Sequence, residues 1–306
     1  MEKPCIVGVG GANVDLCGRS FGPILPGDSN PGQLTLSAGG VCRNICENVC
    51  RMGAPAALIT VFGSDANGAF LKDACQRAGL DLSPAFTLPG MRTGAYLSIH
   101  SCDGEMVTAV NDMEILAAMT PALLERRAHT LEQASAIVLD ANLPEETLRW
   151  LCQRFSRRPI FADTVSCAKA KRLLPALPTL YALKPNLAEA RLLTGWETPE
   201  DCAAALRERG VSRVFLSAGS RGVYTASPEG CFWTRPRPVT RAENATGAGD
   251  SLLAGLLFAH ASGMALREAL RFAVTASVLT LQSRATIRPD LSCQLILDHQ
   301  KECVLE

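Results

Sequence analysis

The sequence predicts an α/β protein: a central, mostly parallel sheet with helices on both faces, and a small β-sheet lid inserted into it. Three observations carry this. Short apolar runs alternate with helical patterns, several helical runs stop at glycine, and the stretches 12–36 and 91–113 break the alternation. The runs at 5–9, 57–61, 136–139, 159–162, 180–183 and 214–217 are short, apolar and β-rich, so each reads as a buried strand. Between them, 41–52, 66–78, 145–155, 187–193, 199–209, 248–261 and 266–282 carry apolar residues at helical spacing. Gly53, Gly79, Gly195, Gly210 and Gly263 follow several of these, as helix C-termini favour. Strand and helix in alternation imply a parallel sheet covered on both faces. In the second break, 96–100 and 106–111 flank Asp103-Gly104, a hairpin signal. No repeat or linker divides the chain, which reads as one domain over 1–306 with 12–36 and 91–113 as the lid.

A chain of 306 residues, 47% hydrophobic and 20% charged, is long enough to bury one large core. Thirty basic and thirty acidic residues balance without runs of one sign. The electrostatic basis for binding nucleic acid or an anionic membrane is therefore missing, and a small-molecule partner is expected. No apolar segment of about 18 residues predicts a membrane span, and the first eight residues lack a signal-peptide pattern, so a cytoplasmic protein is expected. Thirteen cysteines, an odd count without a C-x-x-C pair, fit reduced thiols. Cys42, Cys46 and Cys50 fall four apart and line one helix face; with no histidine near them they read as core packing rather than zinc ligands.

The stretch richest in chemistry is Asn244-Ala-Thr-Gly-Ala-Gly-Asp250, which runs directly into an apolar helical segment. Small residues before a helix let backbone N–H groups converge on an anion, and the helix N-terminus adds about half a positive charge. The amides of Ala248, Gly249 and Asp250, after Gly247, form the expected anion hole. Asp250 has two readings, a helix N-cap or a general base beside the anion, and the small residues before it favour the base.

Residues 247–250, Gly-Ala-Gly-Asp, resemble the signature of the ribokinase-like (PfkB) carbohydrate kinases. The resemblance covers nearly the whole chain. It includes Gly10-Gly-Ala-Asn-Val-Asp15, Gly39-Gly-Val-Cys-Arg-Asn44, Lys184-Pro-Asn-Leu-Ala-Glu189 and Ser217-Ala-Gly-Ser-Arg-Gly222, in the family's order. It implies a ribokinase-like fold with a nine-stranded type of core and a β-lid, ATP and Mg²⁺ as cofactors, and Asp250 as the base that takes a proton from the acceptor hydroxyl. It further implies that Asn13, Asp15, Gly39, Gly40 and Asn44 form the acceptor pocket and that Asn186 and Glu189 organise Mg²⁺ largely through water. Ser217, Gly219, Gly222, Thr246 and Gly249, with Asn186, serve the nucleotide. In isolation Asn186-x-x-Glu189 is equally a capping box, and Lys169 is either a phosphate ligand or a surface lysine.

Finer features resemble the pseudouridine kinases of that family: Asp28-Ser-Asn-Pro-Gly32, Gly104-Glu-Met106 with Asn111-Asp-Met113, and Asp140-Ala-Asn142. They imply ATP-dependent phosphorylation of a nucleoside 5′-hydroxyl, with Ser29, Asn30, Asn111 and Asn142 near the acceptor. A kinase for another nucleoside or a sugar is the alternative, and a non-catalytic sensor a remote one. Ribokinases carry an aspartate where Asn244 stands and Gly-Ala where Arg284-Ala285 stands, which puts a monovalent-cation requirement in doubt. Lids of the family pair across a dimer, and Tyr96, Leu97 and Ile99 suit that role. A dinucleotide-binding reading of Gly8-Val-Gly10-Gly11 fails for want of the third glycine, because Asn13 stands there.

Overall fold

The structure, a computed structural model, describes residues 5–236, 242–244, 246–300 and 303–305; Ala245 of the glycine-rich motif lies outside them. In chain order its strands are β1 (Ile6–Val9), β2 (Asn13–Ser20), β3 (Gly32–Gly39), β4 (Ala56–Ile59), β5 (Val61–Gly63), β6 (Phe86–Leu88), β7 (Ala95–His100) and β8 (Met106–Asp112). They continue with β9 (Ala136–Asp140), β10 (Ile160–Asp163), β11 (Ala182–Lys184), β12 (Val214–Ser217), β13 (Val223–Ser227), β14 (Gly230–Pro236) and β15 (Cys303–Leu305).

Among the described residues the main sheet has nine strands in the order β15-β14-β13-β12-β11-β10-β9-β1-β4. From β4 to β12 neighbours run parallel, and the pairs from β12 to β15 run antiparallel. The six strands expected from the apolar runs are the parallel six. The antiparallel edge was not foreseen, because β13 and β14 are half-polar strands joined by a short Pro228-Glu229 turn rather than continuous apolar runs. Alternation along each parallel strand sorts the core: Val7 and Val9 enter one apolar cluster and Ile6 the other, and Ile137 and Leu139 part from Ala136 and Val138 in the same way. Helices Glu145–Arg154 and Leu187–Thr194 lie over the first cluster, and Val41–Arg51, Ala248–Ala261 and Leu266–Leu281 over the second.

Close contacts explain two features of the sequence. A Cβ on Gly8 would fall 2.4 Å from Cys46 Sγ and 2.8 Å from Cys42 Sγ, so β1 packs directly on the cysteine stripe. Those two thiols are buried in apolar surroundings, and burial pushes Cys42 well above its usual value. Among the described residues no group of His, Cys, Asp or Glu is placed to hold a metal, and no helix is long and apolar enough to cross a membrane.

A separate four-stranded sheet, in the order β3-β2-β7-β8, stands against this body. Register puts Asn13, Asp15, Ser37, Gly39, Tyr96 and Asn111 on one face. Leu16, Leu34, Leu36, Leu97, Ile99 and Val110 occupy the other. The expected trio of Tyr96, Leu97 and Ile99 is thereby split, since period-2 alternation turns Tyr96 to the Asp15 face. The apolar face is open: Leu34 is 77% exposed and Val110 62%.

Candidate active site

Charged residues end three adjacent parallel strands: Asp140 on β9, Asp163 on β10 and Lys184 on β11, paired in one row of the register. In open α/β sheets the carboxyl ends of the strands are where ligands bind. Asp140 is fully buried, and its Oδ2 accepts the N–H groups of Gly11 and Cys42, each at 3.0 Å, while Oδ1 accepts that of Asn142 at 3.0 Å. One carboxylate therefore ties together the turn after β1, the first turn of the Val41–Arg51 helix and the loop after β9. Burial raises its pKa, opposed by those amides. The glycine turn is there for this contact, because a Cβ on Gly10 would fall 2.8 Å from Asp140 Oδ2.

Gly247, at φ 84°, caps the Ala248–Ala261 helix without a side-chain cap, which leaves the first-turn amides open to a ligand. A Cβ on Gly247 would fall 1.9 Å from Thr286 O, so only glycine fits that turn. Asp250 is the third residue inside this helix, not its cap, which removes the capping alternative. Its Oδ2 accepts a 2.9 Å hydrogen bond from Asn44 Nδ2, 206 residues away in sequence. Burial pushes its pKa up to about 7, helped by the carboxylates of Asp163 and Asp140 and opposed by Asn44 and Lys184. A carboxylate poised near neutral pH is suited to general-base work.

Lys184 is buried and pairs with Asp163 at 2.9 Å. Asp163, with Asp250 and Glu189, keeps it charged, its pKa raised although burial opposes this. A Cβ on Gly249 would fall 2.7 Å from Lys184 Nζ, so the ammonium abuts the open helix start. Val165, a β-branched residue at φ 64°, turns the chain so that its N–H reaches Asp163 Oδ1 at 2.7 Å.

On the other side, Asn186 and Glu189 form a complete capping box, with bonds of 2.8 and 2.9 Å. Glu189 Oε2 also accepts from Thr164 Oγ1, whereas Oε1 accepts no hydrogen bond from the described residues. Ser217 pairs in a bridge with Asn186, which sets the turn after β12 beside that box. Gly219, at φ 60°, has open space around it, but Gly222 answers to packing: a Cβ there would meet Thr234 O at 2.2 Å. Thr246 is exposed, and its N–H bonds Asn244 Oδ1 at 2.9 Å while Asn244 Nδ2 donates to Arg284 O at 3.1 Å. Asn244 thus bridges by its amide the two segments flagged for the monovalent cation.

On the small sheet Asn13 Nδ2 donates to Asp15 Oδ1, and burial raises the Asp15 pKa, opposed by Asn13 and Arg43. A Cβ on Gly39 would fall 2.2 Å from Asp15 Oδ2, and Gly40, at φ 101°, abuts Gly11 O. Both glycines therefore give way to backbone and carboxylate. Lys169 is half-buried rather than a free surface lysine, and it donates to Asn142 Oδ1 at 2.6 Å. Asn30 departs from its expected role. Its side chain is spent on its own loop, accepting from Leu25 N at 2.8 Å and donating to Leu25 O and Asp28 O at 3.1 and 3.0 Å. Ser29 and Asn111 are exposed. Sequence reasoning missed Asp140, Asp163 and Lys184 as site residues. Their signal was there: each is a charge at the carboxyl end of a buried strand, where an unpaired one is costly.

A family model described as pfkB family carbohydrate kinase matches residues 4–292. The chain is 35% identical to a pseudouridine kinase of Escherichia coli K12, covering 99% of each. It is 33% identical to an uncharacterized sugar kinase, YeiI, of the same organism, over 95% of this chain and 82% of that one. Among solved structures, a carbohydrate kinase from Agrobacterium tumefaciens superposes with a TM-score of 0.89 at 32% identity over all of both chains. A putative ribokinase II from E. coli in complex with ATP and Mg²⁺ gives 0.83 at 18% identity, covering 97% and 98%.

The raised pKa of Asp250 has a consequence for stability. A carboxyl held above its ordinary value contributes stability at acid pH that is lost as pH rises through about 7. Asp250→Asn removes that ionisation, so its melting temperature at pH 8 is expected to exceed that of the parent, with the gap narrowing toward pH 4. Calorimetric scans at the two pH values check this; a lower value for the variant at pH 8 would contradict the assigned shift.

Proposed function

The chain belongs to the pfkB family of carbohydrate kinases, and from that we propose that it transfers the γ-phosphoryl group of ATP to the 5′-hydroxyl of pseudouridine. The observation that carries the kinase reading is Asp250, pushed up to about 7 at the mouth of an uncapped helix N-terminus and beside a buried lysine. Asp250 accepts the proton of the attacking hydroxyl, and Asn44 holds its carboxylate in line. The amides of Ala248, Gly249 and Asp250, with Lys184, face the charge that develops on the transferring oxygens.

Mg²⁺ supplies charge neutralisation on the phosphates. The residues fit it as a water-mediated partner rather than as a protein cage: Glu189 keeps one oxygen free beside Asn186, and no three-ligand cluster exists among the described residues. Ser217 and Gly219 border the nucleotide on that side. Asn13 and Asp15 take the sugar hydroxyls, with Gly39 and Gly40 admitting them closely. Asn244 joins by hydrogen bonds the two segments at which the resemblance puts a monovalent-cation requirement in doubt.

Pseudouridine as acceptor rests on the similarity to the E. coli enzyme and on the small sheet acting as a lid. On the Asp15 face, Tyr96 and then Asn111 stand in register beside Asp15, an aromatic ring and an amide able to meet a base. Pseudouridine presents an extra ring N–H that uridine lacks, and a site built to accept it leaves a polar group unpaired with uridine. Asn111 takes this role rather than Asn30. On the opposite face, Leu34, Leu36, Leu97 and Val110 form an exposed apolar strip suited to a second copy of the same lid, giving a homodimer.

ADP release over a panel of nucleosides and sugars tests the assignment. Pseudouridine is expected to give a higher kcat/KM than uridine, ribose or adenosine, Asn111→Ala to narrow its lead over uridine, and Asp250→Asn to lose at least about 10² in kcat. Equal rates for the two nucleosides, or a preference for ribose, would move the acceptor to another nucleoside or a sugar.

Glu189→Gln is expected to shift the activity response to higher Mg²⁺ while leaving the acceptor KM in place. An unchanged Mg²⁺ titration would leave Glu189 as a helix cap alone.

Leu34→Glu combined with Leu97→Glu is expected to turn a dimer into a monomer by sedimentation. A parent that is already monomeric would rule out the lid interface.

A further inference from the structure

Resting on the reading of Asp250 as the base, we propose that Arg43, held by Glu47, is a positioning residue that fixes which way round the Asn44 amide faces the catalytic carboxylate. An amide side chain has a donor end and an acceptor end of nearly the same shape, whereas an ionised carboxylate only accepts. One orientation of Asn44 therefore supports Asp250, and the flipped one sets oxygen against oxygen.

The guanidinium of Arg43 decides between them because it carries donors and no acceptor. Its Nη1 donates to Asn44 Oδ1 at 3.0 Å, which leaves Nδ2 for Asp250 at 2.9 Å. A flip would turn two N–H groups on each other at one end and two oxygens at the other. The same Nη1 donates to Ala38 O at 2.9 Å, near the end of strand β3, so the lid strand and Asn44 share one anchor. Nη2 pairs with Glu47 Oε2, and both side chains are only 5% exposed. Glu47 Oε1 is bound in turn by Arg51 Nε at 2.9 Å and Nη2 at 2.7 Å. Residues 43, 47 and 51 are thus an i, i+4 ladder on one helix face.

A buried ion pair contributes little net stability compared with apolar residues of the same volume. The ladder has a use where it ends, at the only side chain that hydrogen-bonds Asp250 among the described residues. The charges facing Asp250 are otherwise Asp163, Asp140 and Lys184, none of which pairs with Arg43 among the described residues; the titratable groups facing Arg43 are Glu47, Asp15 and Cys75.

A double-mutant cycle tests this, with Arg43→Met, Asn44→Ala, both together, and Asp250→Asn alongside, using whichever acceptor gives the best turnover. Arg43→Met is expected to lower kcat by about tenfold or more with the KM for ATP within about twofold, to move the acidic limb of kcat to higher pH, and to cost nothing further in kcat in the Asn44→Ala background. Unchanged kcat, or losses that multiply in the double variant, would overturn the inference. Should Arg43→Met not fold, Glu47→Gln replaces it in the cycle, with a smaller loss expected that again vanishes beside Asn44→Ala. Full activity in Asp250→Asn would instead remove the base reading itself; an inactive Asp250→Asn with multiplying losses at Arg43 and Asn44 would sink the positioning role alone.

Discussion

The buried carboxylate of Asp140 is the contact on which the site is built. It accepts three backbone N–H groups from Gly11, Cys42 and Asn142, on the turn after β1, the first turn of the Val41–Arg51 helix and the loop after β9, and so adds a shared anchor where β1 already pairs with β9. An ionised group inside a core is costly unless such donors surround it, and amides arranged around it serve as the fixing points for everything nearby. The Gly10-Gly11 turn is drawn in, the Val41–Arg51 helix starts where it must to present Asn44, and Asn142 is set down beside Lys169. From there the chain of contacts runs to Asp250. Remove the clamp, and the acceptor pocket and the base lose their common reference.

Much of this was legible in the sequence. The parallel strands announce themselves as apolar runs because both their faces are covered, and the helices as apolar stripes ending at glycine. The uncapped helix start was legible too, since Gly247-Ala-Gly runs straight into an apolar helical segment. What stayed hidden depends on partners distant along the chain. The pairing of Lys184 with Asp163, and their place beside Gly249, follows from strand order, which a sequence does not print. Asn30 looked available because an amide in a polar loop always does; only the loop's closure reveals that its hydrogen bonds are taken. Gly222 looked like a nucleotide-loop glycine and answers instead to a strand backbone pressed against it.

Electrostatics at the centre of the site is a balance of opposites. Burial first, then Asp163 and Asp140, push Asp250 upward, Asn44 and Lys184 pull it down, and together they leave it at about 7. Asp163 works on both sides: it holds the lysine that favours ionisation of Asp250 and is itself a negative charge opposing it. A carboxyl balanced in this way near neutrality is suited to exchanging a proton.

The lid carries one more consequence. Its strands hold Asn13, Asp15, Tyr96 and Asn111 on one face and Leu16, Leu34, Leu97 and Val110 on the other, in alternate positions of the same short segments. Two traits are thus interleaved letter by letter in one stretch of gene. Substitutions at one parity can drift toward new acceptors while those at the other preserve what the outer face touches, so the two traits are free to evolve on separate clocks. An insertion or deletion of a single residue, by contrast, exchanges the faces and loses both at once.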